Sequence, residues 1–169
     1  MTIYLDMDGV IADFDKRAIE ILGVKPREFE EIHGTDRILW ERLYKTNDFY
    51  LSLDLMPDAL ELYEGAKKFG ELYCHEVVLL TGIPSKPILT WAAPQKIEWA
   101  ALKFGEDQKI ITCPSIDKYR YCLPGDILID DWPKYKHLWE NVGGHFIVHT
   151  DAKSSLKQLE EILQWNVTV

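Results

Sequence analysis

Cysteine is scarce in this chain. Cys74, Cys113 and Cys122 are the three among 169 residues. Their number is odd and no Cys-x-x-Cys spacing occurs, which excludes a disulfide framework and suits a reducing compartment. Long apolar runs are missing: no stretch approaches the roughly 20 residues that a membrane helix needs. The opening Met-Thr-Ile-Tyr-Leu-Asp has no basic segment leading into an apolar one, so a secretory signal is not expected. A Gly-rich phosphate loop ending in Lys-Ser or Lys-Thr is absent, as are internal repeats and low-complexity tracts. Basic charge is in deficit. Nineteen Lys and Arg against twenty-eight Asp and Glu leave a formal charge of −9 and a pI near 5.0. Such a surface repels phosphate backbones and excludes a nucleic-acid polymer as main partner, while a small anion in a local pocket stays admissible.

What is present is an ordinary globular balance, 47% hydrophobic and 28% charged. The length fits one domain, or one domain with a small insertion. The expectation is a soluble cytoplasmic protein without a membrane partner, monomeric or homodimeric. Short continuous apolar runs read as buried strands of a parallel sheet. They are Thr2–Leu5, Glu76–Leu80, Ile127–Ile129 and His145–Val148, with a weaker one at Lys109–Thr112. Helical spacing lies between them. Ile97, Ala100, Ala101 and Phe104 share a face that Gly105 ends; Leu138 pairs with Val142; Leu156, Leu159, Ile162 and Leu163 follow a cap at Thr150 or Asp151. This alternation predicts an α/β fold with a Rossmann-like parallel-sheet core.

Residues 16–69 break the alternation. They hold helical stretches (Arg17–Leu22, Pro26–Ile32, Arg37–Tyr44, Pro57–Phe69) and no convincing strand. A crossover between parallel strands needs little more than a dozen residues. The excess reads as a small helical cap inserted after the first strand, over the sheet's carboxyl edge. The core is then 1–15 and 70–169, and the cap 16–69.

Ligands of an open parallel sheet bind beyond the carboxyl ends of its strands. The first strand is followed by Asp6-Met7-Asp8-Gly9-Val10, the second by Thr81-Gly82, and Ile127–Ile129 by Asp130-Asp131. Fourteen aspartates make one Asp-x-Asp pair a chance event, so each motif alone is also what a loop or a helix cap displays. Asp13 and Asp15, a second such pair, receive no catalytic role. Position is what distinguishes the others: both acidic pairs end apolar strands, where clustered carboxylates repel one another without a cation.

Phosphoryl transfer through an aspartyl-phosphate needs this arrangement. A carboxylate is already an ionised nucleophile at neutral pH, and its difficulty is approaching a phosphate dianion. Mg²⁺, a hard cation with oxygen ligands, removes that repulsion. A second acid two positions on can serve the leaving oxygen if Gly9 turns the chain. The Thr81 hydroxyl and the Gly82 amide can hold phosphate oxygens, and a lysine balances the remaining charge. Lys118, twelve residues before Asp130, is the choice for that place and Lys96 its competitor, and either is equally read as a solvated surface lysine. His145 and His149 lack a third ligand for zinc and read as structural. Trp40, Trp91 and Trp139 fit core or pocket wall alike.

The order and strand context of Asp6-Met7-Asp8-Gly9-Val10, Thr81-Gly82 and Asp130-Asp131 resemble motifs one, two and four of the haloacid dehalogenase-like phosphatases. The resemblance implies Asp6 as nucleophile and Asp8 as general acid and base. It implies Mg²⁺ held by Asp6, the Asp8 backbone carbonyl and Asp130, with Asp131 beside it directly or through water. An acid at Asp8 also sets the chain apart from the dehalogenases themselves. A closer resemblance is to the 5′(3′)-deoxyribonucleotidases. It rests on Asp6–Phe14, on Asn47-Asp48-Phe49-Tyr50 with Leu55-Met56-Pro57, on Trp99 with Lys103-Phe104-Gly105, and on Leu128–Asp131. It implies a mononucleotide phosphomonoester as substrate, with Phe49 and Tyr50 over the base. The chain departs from that family at Gly82, where a serine follows the threonine, and at Trp132, where an arginine often follows the paired acids. The alternatives are a phosphatase or phosphotransferase of sugar phosphates or other metabolites, and a non-catalytic nucleotide-binding relative. A phospho-accepting receiver module fits less well, since there the adjacent acids come first in the chain.

Overall fold

The computed structural model describes residues 1–84 and 90–167. The core range expected from sequence also takes in 85–89 and 168–169, which lie outside the described residues. Five strands, β1 (Thr2–Leu5), β2 (Glu76–Gly82), β3 (Ile110–Cys113), β4 (Ile127–Asp130) and β5 (His145–Val148), form one sheet in the order β3-β2-β1-β4-β5, every pair parallel. Alternate residues supply the two faces, as the strand's period of two requires. Ile3, Leu5, Val77, Leu79, Ile127 and Ile129 belong to one buried cluster. Tyr4, Val78, Leu80 and Leu128 belong to a second, under Trp139. With both faces covered, the middle positions of β1, β2 and β4 are apolar and the polar residues sit at strand ends.

The helices are α1 (Phe14–Leu22), α2 (Pro26–His33), α3 (Arg37–Tyr44), α4 (Ala59–Tyr73), α5 (Ala92–Phe104), α6 (Lys136–Asn141) and α7 (Ala152–Val167). Two strands run one residue or more further than expected, so Thr81, Gly82 and Asp130 end strands and do not follow them. None of the helices described is long and apolar enough to cross a membrane.

The expected cap boundary at residue 69 falls inside α4, and α4 is not cap. It packs against α7 and β2 as the crossover helix of the core. Gly65 permits the close approach, because a Cβ there would lie 2.6 Å from Leu156 Cδ1. The inserted part is α1–α3 with the turns up to residue 58. It has no core of its own: Ala18, Leu22, Phe29, Leu39 and Leu43 join the same cluster as Ile3 and Leu5. Its exit and return chains are tied together, Asp13 N–H donating to Asp54 O at 2.9 Å and Met56 N–H to Ile11 O at 3.0 Å. From α5, Trp99 Nε1 donates to Leu53 O at 2.8 Å, and Gln95 Oε1 accepts from Tyr50 N–H at 3.0 Å. The insertion is thus pinned where it meets the core.

Asp151 caps α7, accepting from Ser154 N–H at 2.8 Å. His149 is buried beside it, its Nδ1 2.9 Å from Ser155 Oγ, in the structural role expected. Burial lowers its pKa, against the opposing charges of Asp58 and Asp151. The unfolded chain therefore binds the proton more tightly. Stability is retained above pH of about 6.5 and falls as pH drops below it, by at most about 1.4 kcal/mol per pH unit. His149→Gln is expected to flatten this part of the profile. Urea unfolding of both proteins at pH 7.5 and 5.5 checks it: an unchanged difference between the two pH values removes His149 as the cause.

Candidate active site

β1 lies between β2 and β4, and β4 is reached only after the chain has built β2 and β3 on the other side. The strand order reverses between β1 and β4, where open α/β sheets bind their ligands. Asp6 and Asp130 stand on the two sides of that point, and the Asp6 N–H still donates to Ile129 O at 2.9 Å. After Asp6 the chain coils tightly: Met7 O accepts from the amides of Val10, Ile11 and Ala12 at 2.8–3.2 Å. Gly9 takes φ +75° in this turn, and a Cβ on it would lie 2.7 Å from Asp131 Cγ. Only glycine meets both demands.

Lys118 Nζ bridges the two strands, 2.8 Å from Asp6 Oδ1 and 2.7 Å from Asp130 Oδ2. All three side chains are buried. Burial disfavours the ammonium charge, but the carboxylates of Asp6 and Asp130 outweigh it and hold the Lys118 pKa up. Asp130 is pushed up to about 6 by burial and by Asp6. Asp131, the most open of the group, is pushed up to about 7 by desolvation and by the charges of Asp6 and Asp130. One carboxylate oxygen from each of Asp6, Asp130 and Asp131 lies within 4.8 Å of the others. Oxygen donors this close, with two of them holding protons more tightly than usual, are what a hard divalent cation fits.

Asp8 is turned elsewhere. Its Oδ2 accepts from Lys96 Nζ at 2.6 Å, so its carboxylate does not join the other three. Its Oδ1 is buried without a hydrogen-bond partner. Burial raises its pKa, Lys96 lowers it, and Asp6 raises it again, with a net upward shift. A carboxyl that holds a proton more tightly than usual and has one oxygen uncommitted is suited to serve as an acid.

Lys96 and Thr81 are corrections to the expected phosphate set. Lys96 is wholly enclosed. Its three N–H groups are taken by Asp8, by Thr81 Oγ1 at 2.9 Å and by Gly82 O at 2.8 Å, and its Nζ lies 4.5 Å from the centre of the Tyr50 ring. An ammonium has three donors, so none remains for a phosphate. Thr81 is also fully buried and, like Lys96, does not line the cavity. Lys118 and Gly82 do.

The cavity has a volume of about 540 Å³. Asp6, Asp8, Asp130 and Asp131 line it, and aromatic side chains, among them Phe14, Trp40, Tyr50 and Trp132, line it as well. Phe49 is a further correction. It has no exposed surface and is held edge-on between Phe14 and Tyr50, ring centres 5.1 Å away in each case. Neighbouring residues on one tight turn point to opposite sides, so Tyr50 lines the cavity and Phe49 fills the core beneath it. Of the tryptophans left open by sequence, Trp40 lines the cavity, Trp91 packs on Tyr44 and Tyr50, and Trp139, buried against Tyr4, also reaches the cavity lining. Sequence reasoning passed over Ser115, which shares the 3₁₀ turn Ser115–Tyr121 with Lys118. The signal was their spacing of three.

Neither a protein-family model nor a curated protein matches this sequence. Among solved structures, the chain is similar to a hydrolase from Streptococcus pneumoniae TIGR4, with a TM-score of 0.56 and 11% identity, over 95% of this chain and 97% of that one. At that identity the likeness speaks for the fold: an α/β domain built on a five-stranded, all-parallel, Rossmann-like sheet.

Proposed function

We propose that this chain is a Mg²⁺-dependent phosphomonoesterase that works through an aspartyl-phosphate on Asp6, with nucleoside monophosphates, deoxyribonucleotides foremost, as substrates. The carrying observation is the triad of Asp6, Asp130 and Asp131 with Lys118 between two strand ends, beside a separate acid, Asp8. The motif resemblance to haloacid dehalogenase-like phosphatases supports the reading, as does the fold shared with a hydrolase. Asp6 supplies a carboxylate oxygen to phosphorus as the bond to the leaving oxygen breaks, and Asp8 gives that oxygen its proton. Asp8 then takes a proton from water, whose oxygen displaces phosphate from Asp6. Lys118 holds Asp6 in place throughout and adds positive charge on the phosphate side. Asp6, Asp130 and Asp131 would hold Mg²⁺, which would supply the charge that lets two anions approach. The walls of Trp40, Tyr50 and Trp132 favour a planar, aromatic leaving group.

Charge supports the cation. At the strand ends the three carboxyl groups of Asp6, Asp130 and Asp131 stand against the one ammonium of Lys118, an excess of acid that a divalent ion would offset. Mg²⁺ at a hundred times its dissociation constant should stabilise the fold by about 2.7 kcal/mol. That corresponds to a rise in Tm of about 5–10 °C for a chain of this size, and Asp130→Asn should lose most of it. A phosphate-release panel of nucleotides and sugar phosphates, with and without Mg²⁺, tests the rest. Nucleotides are expected to be turned over at least about tenfold more efficiently, the scale of base stacking. Phosphate release indifferent to Mg²⁺, or a preference for sugar phosphates, overturns the corresponding part.

A further inference from the structure

Gly82 ends β2 at the floor of the cavity, and its backbone is outside the left-handed region, so conformation does not require a glycine there. Space does. A Cβ on Gly82 would collide with Ser115 Oγ. Gly82 pairs with Cys113 across β2 and β3, and Ser115 lies two residues beyond that pairing. The missing side chain of one strand end is therefore occupied by a hydroxyl from the next.

That hydroxyl is well placed. Ser115 and Lys118 are three residues apart on the 3₁₀ turn Ser115–Tyr121, and at three residues per turn they project to the same side. Both line the cavity. The Ser115 hydroxyl has no hydrogen-bond partner among the described residues, and the residue is half-buried. Thr81, the hydroxyl expected to face a phosphate, is enclosed and engaged with Lys96. Among the described residues lining the cavity, Ser115 carries the sole aliphatic hydroxyl and Lys118 the sole ammonium beside the carboxylates.

We infer that Ser115 is the hydroxyl donor to the substrate's phosphate, paired with Lys118 on one turn, and that Gly82 is small in order to admit it. The inference rests on the phosphomonoesterase reading and assigns the phosphate-holding hydroxyl within that site. A phosphate oxygen takes the Ser115 O–H while Lys118 stays on Asp6 and Asp130, so neither ion pair of the lysine need open.

The test is titration of inorganic phosphate, with Mg²⁺ present, into the parent protein, Ser115→Ala, Gly82→Ser, and the double variant Gly82→Ser/Ser115→Gly, together with phosphate release from the best substrate. Ser115→Ala should bind phosphate about ten- to a hundredfold more weakly, the range for one hydrogen bond to a charged group. Gly82→Ser alone should also weaken binding, because its Cβ meets Ser115. The double variant moves the hydroxyl across the gap and should recover to within about threefold of the parent. Phosphate affinity of Ser115→Ala within twofold of the parent overturns the inference, and so does a double variant as weak as Ser115→Ala. If the parent releases phosphate in either of those cases, the phosphomonoesterase reading stands. A parent that neither binds nor releases phosphate overturns both.

Discussion

Asp6→Asn should lower phosphate release by about 10⁴-fold or more, the scale on which removal of a nucleophile is felt when it acts as a unit with its partners. An amide has the shape of the carboxylate and can still be held by its neighbours, but its oxygen is too weak a nucleophile for phosphorus. The fold should not suffer. Asn keeps the backbone bond to Ile129 O, and Lys118 retains Asp130 at 2.7 Å. Asp6 is also a charge that raises the pKa of Asp8, Asp130 and Asp131. Its neutralisation relieves repulsion, so without Mg²⁺ the variant should be at least as stable as the parent. Steady-state phosphate release and urea midpoints measure the two effects separately. Turnover within tenfold of the parent removes Asp6 from the nucleophile's place.

Lys118→Met is expected to be the most damaging change to stability. It leaves Asp6 and Asp130 facing each other in a buried site without their shared ammonium, and breaking a buried pair from one side costs about 3–5 kcal/mol. Protonation sets a ceiling. Neutralising one carboxyl whose unfolded pKa is about 3.9 costs at most about 4 kcal/mol at pH 7, and about 1.5 kcal/mol at pH 5. The loss should therefore be about 3–4 kcal/mol at neutral pH and shrink as pH falls. Asp130→Asn added to Lys118→Met should recover part of it. The exposed pair of Lys16 and Asp54 is the control: Lys16→Met should change stability far less than Lys118→Met does, because water screens that pair. Chemical denaturation at both pH values decides the matter. A Lys118→Met variant within 1 kcal/mol of the parent would mean that the lysine does not hold the acids together.

The two lysines illustrate what a linear reading can reach. Lys96 and Lys118 are both lysines on helical turns after strands, and spacing alone left their roles open. The packing of α5 buries Lys96 behind β2, where Asp8, Thr81 and Gly82 exhaust its donors. The 3₁₀ turn after β3 instead aims Lys118 between two strand ends. Phe49 and Tyr50 are separated in the same way, by which side of a turn faces the core. The insertion's extent was misjudged at α4 because an amphipathic helix looks the same whether its partner is a cap or a sheet. Its membership is set by β2 and α7, which are distant in sequence.

Strand-forming runs, the acids that end them and the crossover too long for its helix are local properties, so residue order by itself determined the α/β class, the inserted helices and the edge at which the carboxylates gather. Residue order could not decide which lysine faces a ligand, which aromatic lines the cavity, or that Ser115 fills the space beside Gly82. Those depend on contacts between segments tens of residues apart, and such contacts exist only once β3 and β4 have taken their places on either side of β2 and β1.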